Sequence, residues 1–410
     1  MKKIISLLVA FLVAIPYLSA QNFFSDSLEV SLLTCGQGPD AYERFGHTAI
    51  RIHDLKQQQN DLVFHYGVFS FNTPFFVWRF VKGETDYQLG AQETHRFIEG
   101  YRRRGLMMFE QKLSLNQAQT SEVARLLIEN YAPQNRVYRY NYFFDNCATR
   151  PFHLIGKACQ NEIRYDSLWL EPTTYRTLVR NKTHSGTWLD FGITLAIGMG
   201  ADRSIGLEQQ IFLPDYLATA YEHASVNGQP LVASTDTLLT ISPEVEKLIN
   251  APKSILDPLP LLSFILCLAM ILLAYRIKQN KPEGKHADRA LKLSNIFDTI
   301  FLFTTGIVAV IIWFLLLGSE HPTVNENLNC VWLWPTNLCF CALIWTKIPQ
   351  KVHRIYFLIN FAALIIYFAC VTSGSQEASP EVLLLAAILL LRCIERIFFN
   401  EKETIPANAK

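Results

Sequence analysis

The hexapeptide Asp145-Asn146-Cys147-Ala148-Thr149-Arg150 stands between an aromatic run (Tyr138, Tyr140, Tyr142, Phe143, Phe144) and an apolar segment through Phe152, Leu154 and Ile155. The run reads as a strand and the segment as a helix. Asn is a good helix N-cap, so Asn146 puts Cys147 in the first helical turn, where unpaired N–H groups and the helix dipole favour negative charge. That setting is expected to lower the thiol pKa toward the nucleophilic thiolate. Pro151 fits a first turn, where its missing N–H costs nothing. The plain alternative is a small buried cysteine at a strand–helix junction.

Upstream, Leu28 to Thr34 reads as a strand ended by the turn signal Gly36-Gln37-Gly38-Pro39. Phe45–Ile52 and Leu62–Phe69 are strand-like and separated by a polar turn, which predicts a hairpin or meander. Alternation places His47, Ala49 and Arg51 on one face. A further strand is expected over Gly105–Leu113. Asn116–Tyr131 carries Val123, Leu126 and Leu127 at helical spacing, with Pro133 just beyond, and predicts a helix.

The chain has 410 residues, and its 37 Lys and Arg nearly balance 36 Asp and Glu, so no charge excess suits nucleic acid. Two lysines, the apolar run Ile4–Leu18 and Ser19-Ala20 describe a signal peptide over residues 1–20. Residues 21–250 are mixed in composition and are expected to form one exported domain, followed by a linker over 251–258. Apolar stretches at 259–275, 299–318, 331–346, 355–372 and 382–399 predict five transmembrane helices within 259–400, and 401–410 a cytoplasmic tail. Basic residues cluster in alternate connections (Arg276 to Lys292; Lys347 to Arg354; Arg392 to Lys402). The other two carry Glu320, Glu326, Glu377 and Glu381 without Lys or Arg. This pattern puts residues 21–250 outside and the C-terminus inside. Trp332 and Trp334 read as anchors at a span's end.

Six of the nine cysteines fall in or beside apolar stretches, leaving Cys35, Cys147 and Cys159 in the exported part. An odd number leaves at least one free thiol. On one helix Cys147 and Cys159 stand roughly 18 Å apart, so Cys147 is the expected unpaired one. No GxGxxG, Walker loop or zinc-type Cys/His spacing occurs, so neither cofactor nor metal is expected. A cysteine at a helix start needs a base, and a strand-borne histidine oriented by a further polar side chain is a recurrent solution. Cys147 as nucleophile, His47 as base and His65 as orienter meet that description.

The segments Leu33–Gly38, Phe45–Arg51, His65–Phe69, Asn135–Asn141 and Asp145–Arg150 resemble the Lnb family, bacterial membrane proteins with an N-terminal periplasmic domain described as lipoprotein N-acyltransferases. The His-before-Cys order also resembles circularly permuted NlpC/P60 proteins. The resemblance implies an α+β, papain-like domain followed by an all-α bundle, in which Cys147 and His47 carry acyl transfer. It implies a membrane phospholipid as donor and a diacylated apolipoprotein as acceptor, at the inner membrane. Asn146, Arg150 and Tyr66 beside the centre, and His321 on the outer side, are the candidate substrate contacts. The alternatives are an intramolecular transacylase giving lyso-form lipoprotein, an NlpC/P60-like cysteine amidase or peptidase, and a non-enzymatic scaffold.

Overall fold

The computed structural model describes residues 23–166, 169–279, 286–346 and 349–399. The expected signal peptide and the C-terminal tail lie outside them. The chain divides into two compact units, Met1–Pro172 with Ile205–Ala251, and Thr173–Ser204 with Pro252–Lys410.

The first unit is built on a seven-stranded antiparallel sheet. Its strands are β1 (Leu28–Cys35), β2 (His47–Asp54), β3 (Asp61–Val68), β4 (Asp86–Glu93), β5 (Met108–Leu113), β6 (Val137–Arg139) and β7 (Val232–Leu239), in the order β7-β5-β1-β2-β3-β4-β6. The predicted hairpin is the β2–β3 pair, from Ile50 opposite Phe64 to His53 opposite Asp61. Alternation buries both faces. Val30, Leu32, Ile50, Ile52 and Phe64 pack against the helices Gln117–Tyr131 and Thr149–Ala158, through Leu126, Leu127, Phe152 and Ile155. Leu33, Cys35, Ala49 and Val63 face the helix Thr94–Arg103 through Phe97. The predicted helix begins at Gln117, where Asn116 and Gln119 form a reciprocal capping box. The aromatic run is not a long strand. After the three residues of β6, Asn141 and Asp145 exchange backbone hydrogen bonds and close a turn that leads into the hexapeptide.

In the second unit three described helices are long and apolar enough to cross a membrane: Pro258–Gln279, Ala287–Gly318 and Gln350–Thr372. The stretch at 331–346 is not a single helix. It holds the end of the 3₁₀ turn Leu328–Val331, then Pro335, then a seven-residue helix, Asn337–Leu343, about 10 Å long. Asn337 is buried there, its side chain bonded to Thr305 and Tyr356. Trp332, expected at an interface, is fully buried and packs on Tyr367. The fifth stretch forms the helix Pro380–Phe398, but it carries Arg392, Glu395 and Arg396 inward to a buried ion cluster with Asp298.

Residues Thr173–Ser204, which composition groups with the exported part, belong to this second unit. Fully buried Arg176 pairs with Asp202 and donates to the carbonyls of Thr194, Ile197 and Gly198. The amides of Asn327 and Asn329 donate to the Leu195 carbonyl, and Asn327 also to that of Ala196. Asn327 and Asn329 thus satisfy the carbonyl end of the helix Trp188–Ala196.

Candidate active site

Between β2 and β3 the sheet opens. The ladder stops at Ile50 opposite Phe64, while β1 follows β2 down to Cys35 opposite His47. On the other side of β3 the pairing with β4 is irregular between His65 and Val68. Gly67 sits in that irregularity with φ +92°, a conformation that favours glycine. A Cβ built on Gly67 would lie 3.8 Å from Cys147 Cβ, 4.0 Å from His47 Cε1 and 3.7 Å from the Tyr140 ring. The hexapeptide and the end of β2, a hundred residues apart in sequence, therefore meet over one glycine. Gly90 of β4 makes room for the next group: a Cβ there would come within 3.0 Å of His65 Nε2.

His47 Nε2 and His65 Nδ1 share a hydrogen bond at 3.3 Å, and the far nitrogen of His65 stands 3.5 Å from the Gln92 amide of β4. The rings of His47 and His65 are nearly perpendicular, and His65 also touches Phe97. His47, His65 and Gln92 form a line of polar groups, and Cys147 borders the same glycine, Gly67, as the His47 ring.

The helix Thr149–Ala158 begins two residues later than expected: Ala148 holds the N-cap position, and Cys147 lies in the turn before the helix rather than in its first turn. The Asn146 side-chain oxygen still accepts from the N–H groups of Ala148 and Thr149, and its carbonyl accepts from the Arg150 N–H, so Asn146 ties this turn to the helix start. The Cys147 thiol also behaves opposite to expectation: burial pushes it up to about 11, against the N–H groups of Thr48 and of Cys147 itself, which favour the thiolate. Burial also pushes His47 down to about 3, helped by the positive charges that His65 and Arg104 can carry, and His65 down to about 4. Both residues are half-buried. The resting pair is a neutral thiol beside a neutral imidazole. Helix-end stabilisation reaches about 2 kcal/mol at most, and here desolvation exceeds it.

This has a measurable consequence. At pH 7 only about one Cys147 in 10⁴ is a thiolate. Alkylation by iodoacetamide, followed on the Cys147 peptide by mass spectrometry, should therefore climb through pH 9 and level off only near 11. A plateau below pH 7 would instead report a standing thiolate–imidazolium pair.

The other candidate residues fall differently. Besides capping, the Asn146 amide donates to the carbonyls of Tyr142 and Phe212, so this buried side chain is spent within the unit. Arg150 forms a two-pronged ion pair with Asp145, and its guanidinium lies 3.5 Å from the centre of the Tyr138 ring. Tyr66 is 2 % exposed, inside the core. His321 is half-buried in the second unit, on the segment after Ala287–Gly318. Sequence reasoning missed Gln92, the Thr48 N–H and the placement of Tyr140. Only Gly67 offered a signal, since a glycine inside a strand marks a bulge or a close approach.

Residues 18–181 match the family model of the Lnb N-terminal periplasmic domain, and residues 250–404 that of the Lnb transmembrane domain. The chain belongs to the Lnb family. No curated protein and no solved structure matches it. As an Lnb protein it is a membrane protein with a periplasmic N-terminal domain and a transmembrane C-terminal region, and membership points to a membrane enzyme that modifies lipoproteins. The cleft described above lies within the stretch matched by the Lnb periplasmic domain.

Proposed function

We propose that this protein is a cysteine-dependent acyltransferase of the inner membrane, its C-terminus cytoplasmic. It moves a fatty acyl chain from a membrane phospholipid to the N-terminal amine of a diacylated lipoprotein. The observation that supports this reading is that Cys147 and His47 both border Gly67 in the periplasmic unit, with His65 hydrogen-bonded to His47. A cysteine just ahead of a helix, near a strand-borne histidine, also suits papain-like acyl chemistry.

In the first step the Cys147 thiol attacks an ester carbonyl of the phospholipid, and its proton passes to His47. Because both groups are neutral at rest, this transfer is coupled to attack. Negative charge leaves the sulfur for the carbonyl oxygen, where the N–H groups of Cys147 and Thr48 are the candidate donors. The C–O bond breaks, His47 returns the proton to the departing oxygen, and a lysophospholipid leaves a thioester on Cys147. In the second step the lipoprotein amine attacks the thioester, His47 takes the amine proton and delivers it to the sulfur. An amide is formed and the free thiol restored. His65 holds the His47 ring throughout.

Two half-reactions imply an isolable acyl-enzyme. Full-length protein incubated with phospholipid and no acceptor should yield a Cys147 peptide heavier by one acyl group minus one hydrogen, with lysophospholipid released in step. Addition of a diacylated lipopeptide should discharge it. Lysophospholipid release with no adduct on Cys147 would overturn the mechanism.

A further inference from the structure

Between β3 and β4 the chain leaves the sheet for Ser70–Gly83, which includes the short helix Phe76–Lys82. Its tip is apolar and open: Phe71 is 63 % exposed, Phe75 82 % and Val77 73 %. Contiguous apolar surface of this kind on a soluble face marks an interaction site. Phe75 is also held in the left-handed region, φ +56°, which a bulky side chain enters only under strain. The strain is spent on pointing an aromatic ring outward. The base of the excursion is polar: Arg79 pairs with Asp86, and Lys82 with Glu84. Apolar rings at the tip over ion pairs at the base match the polarity gradient of a lipid–water interface.

We propose that the tip of this excursion inserts into the phospholipid bilayer to which the chain's own transmembrane region belongs. The periplasmic unit is covalently tethered to candidate spans, so a bilayer is the apolar partner always at hand. Inward, the excursion is continuous with the cleft. Phe71 meets Phe69 at 4.9 Å between ring centres, Phe69 meets Tyr87 at 5.1 Å, and Tyr87 meets Tyr140 at 4.4 Å. Tyr140 is the ring that stands over Gly67 beside Cys147. This packed run of rings couples the inserted tip to the residues around the thiol, a consequence that rests on the acyltransfer reading; insertion itself does not.

The test uses full-length protein in vesicles of phosphatidylethanolamine and phosphatidylglycerol, with p-benzoylphenylalanine in place of Phe75. Irradiation should give a phospholipid adduct on the residue-75 peptide. The same probe at Leu55, exposed on the β2–β3 turn, should give none. Crosslinks from position 75 to protein only, or equal lipid labelling at both positions, overturns the proposal whatever the enzyme's reaction. Phe75→Asp and Val77→Asp should each lower acyl transfer from vesicle phospholipid about tenfold or more and leave iodoacetamide labelling of Cys147 unchanged. Full transfer by both variants overturns the coupling of the tip to the thiol.

Discussion

Cys147→Ser should lower lipoprotein N-acylation by about three orders of magnitude or more, because the proposed thioester forms on its sulfur. In cells the substitution should leave apolipoproteins with a free α-amine, visible in the mass of their N-terminal peptides. His47→Ala should do nearly as much damage. The two groups act as one unit, so the double variant should be no worse than the more damaged single one. His65→Ala should cost less, about 10²-fold, since a residue that orients the base leaves nucleophile and base present. The ordering matters more than any single value. The 3.3 Å contact between His47 and His65 places them in series, and a series predicts decreasing damage with distance from the sulfur. Unchanged N-acylation in both Cys147→Ser and His47→Ala would rule out the mechanism. Equal losses in all three variants, together with lowered unfolding temperatures, would reduce the line of residues to a structural cluster.

Local chemistry was legible in the sequence and tertiary quantities were not. Asn116 and Gln119 announce their helix because a cap acts over three residues. Asn146 announces the next one for the same reason, two residues early. The direction of the Cys147 shift depends on what covers the sulfur, and the covering groups come from β2 and from Tyr140. A helix-start argument sees only the favourable term. The stretch at 331–346 shows the same limit in apolar form. Its composition suits lipid, yet Trp332 and Leu333 are wholly buried in protein and Pro335 interrupts the helix. Hydropathy does not distinguish a lipid-facing run from an inward-facing one. Thr173–Ser204 is grouped by composition with the rest of 21–250, but Arg176, Asp190 and Asp202 make buried bonds inside the second unit, a tertiary placement that composition does not report.

Asn146→Ala should unfold the cleft rather than merely weaken substrate binding. The side chain caps two N–H groups and satisfies the carbonyls of Tyr142 and Phe212, with 3 % of its surface exposed. Loss of a cap costs about 1 kcal/mol, and each of the two carbonyls left unpaired about 1–3 kcal/mol, so about 3–7 kcal/mol of local stability is at stake. Asn146→Asp should be nearly as harmful although it keeps the cap, because it turns a second acceptor oxygen toward two carbonyls. Both variants should lower the unfolding temperature of the purified protein. Both should also speed iodoacetamide labelling of Cys147 at pH 7, since loosening the turn exposes a thiol that burial keeps protonated, while N-acylation falls about a hundredfold or more. That opposition, faster alkylation with slower acyl transfer, separates the two roles of Asn146. A residue that only touched substrate would reduce acyl transfer and leave both the unfolding temperature and the labelling rate where they were. The sulfur would then be held by the helix Thr149–Ala158 and the β2 backbone without help from the residue before it.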